Sequence, residues 1–202
     1  MTAPLRLTDP TSRDAIRFVE ALSGQTLRDC YQCSKCAAGC PIGKAVDLSP
    51  QQIIRALQLG QADVALDSRG LWLCVGCQTC VTRCPCEVDL PRVMDALRVY
   101  ALATGRAAAQ REVGVFHKVF LKSIELLGRV YEVGLIGGYN TLSGHLFDSM
   151  GLGWPMFVRG KIKPIPKRVR ARQEIAGIFE RAEARRAQDR DAVRTIPVEH
   201  VR

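Results

Sequence analysis

The chain carries two cysteine-rich stretches, CYQCSKCAAGCP at residues 30–41 and CVGCQTCVTRCP at residues 74–85. Both follow the pattern C-x2-C-x2-C-x3-C-P, and the second begins 44 residues after the first. After each run the chain repeats a second pattern, in which Val-Asp-Leu and a proline come just before an apolar-periodic segment. The region from about residue 10 to 105 is therefore an internal duplication, and such a repeat constrains the architecture.

The spacing of the eight cysteines in these runs is typical of proteins that hold two [4Fe–4S] clusters. In such runs the first three thiolates bind one cluster, and the fourth, which precedes proline, binds the cluster of the other run. This rule predicts Cys30, Cys33, Cys36 and Cys84 as ligands of a first cluster, and Cys74, Cys77, Cys80 and Cys40 as ligands of a second. No catalytic residue is predicted, because this arrangement leaves no iron open to a substrate.

Zinc and disulfide bonds are the other common uses of clustered cysteines. Structural zinc sites pair one CxxC with a distant CxxC or with histidines, and neither run follows that plan. A disulfide framework needs export, and the start MTAPLRLTDPTSRDAIRFVE has no apolar segment of a secretion signal. We therefore expect reduced thiols and a cytoplasmic protein. The remaining alternative is that the cysteines bind a redox-inactive metal that only stabilises the fold.

Helical periodicity and capping residues predict an all-α fold. Helices are predicted over residues 11–23, from Pro50 to Gly60 and from Pro91 to Gly105. Alternating apolar and polar residues flanked by turns, the signature of strands, are missing from this region. The sequence therefore predicts a helical ferredoxin module over residues 1–105, with pseudo-twofold symmetry around two clusters.

Residues 106–158 are predicted to form a helical extension that packs on this module. Its clearest element is an amphipathic helix over residues 113–133, whose apolar face has a partner groove or a membrane surface as alternative contacts. The glycine-rich stretch that follows predicts irregular structure or short helices. The longest run without a charged residue, 133–147, is shorter than the ~20 apolar residues of a membrane span. No transmembrane segment is predicted.

Residues 159–202 are predicted to form a basic tail, with a helix near Ala171 to Ala187 and a disordered end. The segment has 13 Lys or Arg against 6 Asp or Glu, and the whole chain has a formal net charge of +9. Because the segment has one aromatic residue, Phe179, and no nucleic-acid-binding motif, we predict no nucleic-acid partner. Docking on an acidic protein surface and simple solvation of a charged helix stay open as alternatives.

Two cations and a ninth cysteine flank the predicted ligands. Lys35 lies inside the first run and Arg83 precedes Cys84, so the sequence predicts that the first cluster has the higher reduction potential. The alternative is that both side chains reach solvent, where screening removes most of their influence. Cys86 is not needed by the eight-cysteine pattern and is predicted to be a buried spectator thiol, with contact to a cluster as the alternative.

The chain resembles the C subunit of heterodisulfide reductase (HdrC) and its bacterial relatives. The resemblance rests on the widely separated cysteine motifs, the Val-Asp-Leu before each following helix and the basic, proline-punctuated segment Arg159-Gly160-Lys161-Ile162-Lys163-Pro164. It covers roughly residues 10–170. The same motifs occur in the iron–sulfur parts of glycerol-3-phosphate, glycolate and succinate-type oxidoreductases, where the helical ferredoxin module is often fused to other domains. A module without such a fusion favours the HdrC-like interpretation.

The resemblance implies an electron-transfer subunit of a heterodisulfide-reductase-like (HdrABC-type) complex. In that family HdrC passes single electrons between HdrA, which carries a flavin and clusters, and HdrB, which has cysteine-rich CCG motifs. This chain contains no Cys-Cys-Gly sequence, so thiol–disulfide or sulfur chemistry is implied to take place in the HdrB-like partner. The alternatives are the iron–sulfur subunit of a flavin-linked dehydrogenase feeding quinone and a free two-cluster ferredoxin carrier.

Overall fold

The computed structural model describes residues 10–106, 111–144, 155–156, 158–160, 166 and 169–195. These residues are mostly helical and contain no β-strand, which confirms the all-α prediction. The chain divides into two compact units, Met1–Ala109 with Gln188–Arg202, and Gln110–Ala187. We call them the cysteine unit and the hairpin unit. The three-part division at residues 105 and 158 stays a prediction.

The cysteine unit contains the three helices that the sequence predicts and four short ones that it does not. In chain order they are α1 (Pro10–Ser23), a 3-10 turn (Leu27–Asp29), α2 (Lys35–Ala38), α3 (Pro50–Gln58), α4 (Ala62–Leu66), α5 (Arg69–Leu73), α6 (Thr79–Arg83) and α7 (Leu90–Ala103). The short helices α2 and α6 lie inside the two cysteine runs. They have no more than five residues each, too few for a helical period to show in the sequence.

The two helices that follow the cysteine runs begin in the way their sequences predict. At the start of α3 the backbone N–H of Ser49 donates to Gln52 Oε1 at 2.9 Å, one half of a capping box. At the start of α7 the Asp89 carboxylate accepts from the Arg92 N–H at 3.2 Å. Both helices carry a proline in the first turn. The caps satisfy amides that have no partner within the helix.

The core of the cysteine unit lies among α1, α3, α4, α5 and α7. Its fully buried large apolar side chains are Leu27, Ile53, Ile54, Leu57, Leu66, Leu71, Leu97, Val19 and Val93. The Phe18 ring on α1 lies 5.6 Å from the Tyr100 ring on α7. Each buried Leu or Ile contributes about 1.5–3 kcal/mol relative to exposure. This core anchors the helices from which the cysteine runs emerge.

In the hairpin unit two helices pack against each other, α8 (Arg111–Leu127) and α9 (Glu132–Ser143). The prediction of one helix over residues 113–133 is wrong at its end, because Gly128 adopts a left-handed φ of +78° and terminates α8. Of the two structures predicted for the glycine-rich stretch, irregular structure or short helices, the structure shows a helix, α9, up to Ser143. A Cβ on Gly138 would lie 2.9 Å from Val119 Cγ1, so glycine there permits close packing of the two helices.

A further helix, α10 (Arg172–Thr195), begins in the hairpin unit and is longer than predicted. The disorder predicted for the last residues concerns 196–202, which lie outside the described part of the chain. None of the described helices has the length and hydropathy of a membrane span. The predicted packing of the extension on the cysteine unit stays a prediction.

Candidate iron–sulfur centres

Both cysteine runs begin where a short helical element ends. The 3-10 turn Leu27–Asp29 leads into Cys30, and α5 leads into Cys74. These entrances occupy equivalent positions in the two repeats, 44 residues apart. Leu27 and Leu71, three residues before the first cysteine of each run, are both fully or almost fully buried. The first cysteine of each run is therefore fixed to the core by a buried leucine.

The backbone of the two runs has the same unusual shape. Gln32 and Gly76 both have left-handed φ, +65° and +62°, and so do Ser34 and Gln78, both at +63°. The two pairs lie at equivalent positions, between the first and second cysteines and directly after the second. Left-handed residues alternating with right-handed ones turn successive N–H groups towards one side, which creates the concave anion sites found at many iron–sulfur clusters. The shared left-handed residues show that the backbones of the two runs turn at the same positions.

One concave site joins cysteines from both runs. Its lining includes Cys40 from the first run together with Cys74, Cys77 and Cys80 from the second. Apolar side chains of Ile42, Leu90 and Met94 complete its wall. These four cysteines are the set predicted for the second cluster. The structure brings them together, and their ligation stays a prediction.

The remaining four motif cysteines form a second group. Burial raises the pKa of Cys36, and the nearby Cys30 and Cys33 thiolates raise it further. Desolvation also raises the pKa of Cys86, which feels the charges of Cys84, Cys30 and Cys33 as well. Cys84 therefore lies in the same neighbourhood as the first three cysteines of the first run. This is the set predicted for the first cluster.

The two groups meet at Cys36 and Cys80. Burial raises the pKa of the Cys80 thiol to about 11, and the thiolates of Cys74 and Cys36 contribute to the rise. Cys36 lies on α2 and Cys80 on α6, and these two short helices pack against each other. Cys36 also lines the concave site of the other group. The two candidate centres therefore lie side by side.

The donor set fits [4Fe–4S] clusters on chemical grounds. Thiolates that lie close together repel, and bound iron supplies the positive charge that offsets this repulsion and deprotonates the thiols. All nine cysteines are free of disulfide bonds. Among the described residues no three His, Cys, Asp or Glu side chains are grouped so as to hold a single metal ion.

Several motif sulfurs have further polar contacts, which tune cluster potentials in iron–sulfur proteins. Gln32 Nε2 donates to Cys30 Sγ at 3.4 Å, and the Val88 N–H donates to Cys84 Sγ at 3.3 Å. Thr79 Oγ1 lies 3.4 Å from Cys77 Sγ, and this contact lowers the pKa of Cys77. Both groups of cysteines thus have polar neighbours supplied by the chain itself.

The structure places the flanking cations and the ninth cysteine differently from the sequence interpretation. A Cβ on Gly39 would fall within 3 Å of the Arg83 guanidinium, so that charge lies beside the residue before Cys40, in the second group. Arg83 and Lys35 are both exposed, which agrees with the alternative that both side chains reach solvent. Cys86 is half-buried next to the first group, so the prediction of a buried thiol is wrong. It follows Cys84 by two residues and shares its surroundings.

The sequence interpretation missed two side chains that hold the cysteine loops. Gln58, near the end of α3, donates from Nε2 to the carbonyl oxygens of Leu27 and Cys30, both at 2.8 Å. Arg98, in α7, donates to the carbonyl oxygens of Leu71 at 2.9 Å and Cys74 at 2.5 Å. The duplication gives no signal for them, because Gln58 lies eight residues after Pro50 whereas Arg98 lies seven residues after Pro91.

Comparison with known proteins supports this chemistry over part of the chain. Residues 26–88 match the family of 4Fe-4S dicluster domains. This match spans both cysteine runs, from just before Cys30 to Val88. It confirms the predicted [4Fe–4S] cofactors. The assignment of individual cysteines to each cluster stays a prediction.

The chain is also similar to named iron–sulfur proteins of methanogens. It is 40% identical over 98 residues to the iron–sulfur C subunit of the CoB–CoM heterodisulfide reductase of Methanopyrus kandleri, covering 48% of this chain and 50% of that protein. It is 34% identical over 99 residues to the C subunit of the H2:CoB–CoM heterodisulfide, ferredoxin reductase of Methanothermobacter thermautotrophicus, covering 48% and 54%. The chain spans about half the length of the curated relatives it matches. Over that half, the resemblance predicted from the sequence is confirmed.

Proposed function

We propose that this chain, an iron–sulfur protein similar to the C subunit of heterodisulfide reductase, is the electron-transfer subunit of a heterodisulfide-reductase-like complex. It would pass single electrons between an HdrA-like flavoprotein with clusters of its own and an HdrB-like CCG-motif protein that acts on a thiol, a disulfide or a related sulfur compound. The observation that carries this proposal is the contact of the two cysteine groups at Cys36 and Cys80. Two centres side by side suit the movement of electrons from one to the other.

We assign the ligands as the sequence predicts. Cys30, Cys33, Cys36 and Cys84 would hold the first cluster, and Cys74, Cys77, Cys80 and Cys40 the second. When bound, each cluster supplies reversible one-electron chemistry, typically at low potential. The chain's own residues position the thiolates, exclude water from the second site with Ile42, Leu90 and Met94, and donate the Val88 N–H to Cys84 Sγ at the first. None of these residues is given a catalytic role.

Exposed positions in each run supply places where a partner can approach a cluster. Cys33 and Cys77, the second cysteine of each run, are both exposed. Tyr31 and Val75, at equivalent positions just after the first cysteines, are 61% and 67% exposed. Large exposed apolar side chains next to both candidate centres support separate contacts with two partner proteins. One partner would deliver electrons and the other would receive them.

We place the complex in the cytoplasm, where thiols stay reduced. The nine free cysteines agree with this location, because a secreted protein of this size would use such cysteines as disulfides. The thiol or disulfide chemistry itself is assigned to the CCG-motif partner. Nucleic acid is not among the proposed partners.

Anaerobic purification of the tagged chain from its native host, followed by mass spectrometry of the proteins that accompany it, tests this proposal. The expected result is recovery of a CCG-motif protein together with a flavoprotein, in constant ratio to the chain through a second column. Recovery of the chain with only a flavin-linked dehydrogenase and a quinone-reactive membrane protein would overturn the proposal. Recovery of the chain alone would instead assign it to the free carriers.

A further inference from the structure

The two repeats differ in the side chain that donates hydrogen bonds to the backbone of the cysteine loop. Leu27 and Cys30 in the first repeat are equivalent to Leu71 and Cys74 in the second, 44 residues later. The carbonyl oxygens of the first pair accept hydrogen bonds from Gln58, and those of the second pair accept them from Arg98. The same two acceptors are thus bound by a neutral amide in one repeat and by a cation in the other.

Arg98 is placed where its charge is only partly screened. Its side chain is 25% exposed, and its guanidinium carries a permanent positive charge. Asp95 forms an ion pair with it at 3.0 Å but is 71% exposed, so solvent screens the carboxylate more than the guanidinium. The contact with the Cys74 carbonyl fixes the cation next to the first cysteine of the second group.

Gln58, which makes the corresponding hydrogen bonds in the first repeat, has a different charge environment. The half-buried Gln58 has the exposed Arg55 at 3.4 Å and Gln32 at 3.5 Å as polar neighbours. Asp29, directly before Cys30, adds a negative charge at the start of the first cysteine run. The partly buried cation therefore belongs to the second group of cysteines.

We infer that Arg98 is a positioning residue that holds the Cys74 loop and makes the cluster of Cys40, Cys74, Cys77 and Cys80 the higher-potential one of the two. The inference rests on the ligand sets assigned under the proposed function. Gaining an electron makes a cluster more negative, and a nearby fixed cation stabilises that reduced form. This order is the reverse of the one predicted from Lys35 and Arg83 in the sequence. In a chain that has gained one electron, the electron therefore resides mainly on the second cluster.

The test is a dithionite redox titration of the isolated full-length chain, followed by electron paramagnetic resonance. Arg98→Gln removes the charge and reproduces the amide of the first repeat. Arg98→Lys keeps the charge but not the two-pronged geometry. Arg92→Gln is the matched control, since Arg92 lies on the same helix and is 68% exposed in its ion pair with Asp89. Cys33→Ser and Cys77→Ser identify the signals, because serine ligation alters the spectrum of one cluster at a time.

We expect Arg98→Gln to lower the reduction potential of the second cluster alone. At a fixed solution potential, the ratio of reduced to oxidised second cluster should fall about threefold. Arg98→Lys should keep the wild-type potential while the second cluster is lost faster on dilution. Arg92→Gln should change neither cluster. The inference is overturned if Arg98→Gln changes neither potential, if it lowers the potential of the first cluster, or if Arg92→Gln causes an equal shift.

A reciprocal variant decides the matter if Arg98→Gln does not fold. Gln58→Arg places the cation in the first repeat and should raise the potential of the first cluster, narrowing the gap between the two. An unchanged or wider gap would contradict the inference. Because the titration uses the isolated chain, absence of partners in the co-purification experiment would overturn the proposed function and leave this result intact.

Discussion

The backbone N–H of Asp89 donates a hydrogen bond of 2.8 Å to Gln25 Oε1, although 64 residues separate the two. Gln25 precedes the first cysteine run and Asp89 follows the second. The reverse connection also exists, since the Asp47 carboxylate after the first run accepts from the N–H groups of Arg69 and Gly70 before the second, at 2.9 and 3.0 Å. Gln25 and Arg69 are 44 residues apart, at equivalent positions. The segment before each run is therefore hydrogen-bonded to the segment after the other run, which parallels the predicted exchange of fourth cysteines between the runs.

Replacing Asp47 is predicted to destabilise the protein. Its carboxylate also accepts from Ser68 Oγ at 2.8 Å, so Asp47→Ala leaves three donors at the start of α5 without this partner. By analogy with the loss of a helix cap, the free energy of unfolding should fall by about 1–2 kcal/mol. Thermal unfolding of the cluster-loaded protein, followed by circular dichroism, measures this loss. Asp67→Ala, an acidic residue in the same connection without a side-chain bond to α5, should have a smaller effect, and equal effects would contradict the prediction.

The contribution of Asp47 should also depend on pH. Partial burial alone would raise its pKa, but the hydrogen bonds from Arg69, Ser68 and Gly70 outweigh burial and lower it from 3.8 to about 2. Because the folded state then binds its proton less readily than the unfolded state, this stabilisation is complete above pH 3.8 and is lost as the pH falls towards 2. The difference in Tm between wild type and Asp47→Asn should therefore shrink between pH 5 and pH 3. A difference that stays constant over this range would show that the carboxylate charge is not involved.

Substitutions of Cys40 and Cys86 test the prediction that the fourth cysteine of each run binds the cluster of the other run, with Cys86 as the control. Cys40→Ser alters the first run, yet it should remove or alter the spectrum of the cluster held by the second run and leave the other unchanged. Cys86→Ser should leave the iron content at about eight atoms per chain. Iron and sulfide analysis with electron paramagnetic resonance of the reduced variants provides the measurement. Loss of the cluster held by Cys30, Cys33 and Cys36 in the Cys40 variant would disprove the exchange.

Gly76 adopts a left-handed φ in an open part of its loop, so replacing it should strain the backbone without causing a steric clash. A Cβ there would have no neighbour within 4 Å, so Gly76→Ala tests backbone strain alone. We expect a loss of about 1–2 kcal/mol in the free energy of unfolding, the cost of a left-handed alanine. Gly114 in α8 is an equally open position but helical, and Gly114→Ala should stabilise by up to about 1 kcal/mol. The same sign of change in both variants would contradict this account of the loops.

The sequence was sufficient for the features that depend on local pattern and spacing. The helices after Pro50 and Pro91 were predicted because capping residues and apolar periodicity agree there, and the [4Fe–4S] chemistry followed from the cysteine spacing. The glycines of α9 left irregular structure and short helices open, because the sequence does not show that Gly138 permits the close approach of Val119. Gln58 and Arg98 were missed because they bind backbone carbonyls 24 to 31 residues away, which have no signature in the sequence.

The central claim is that this chain holds two adjacent [4Fe–4S] clusters between which an electron moves. Its most direct test is the electron paramagnetic resonance spectrum of the fully reduced full-length chain, with iron counted in the same sample. The account predicts about eight irons per chain and a spectrum broadened by coupling between two paramagnetic clusters, which simplifies to a single-cluster signal in Cys40→Ser. A count of four irons, or two signals that show no coupling, would contradict it.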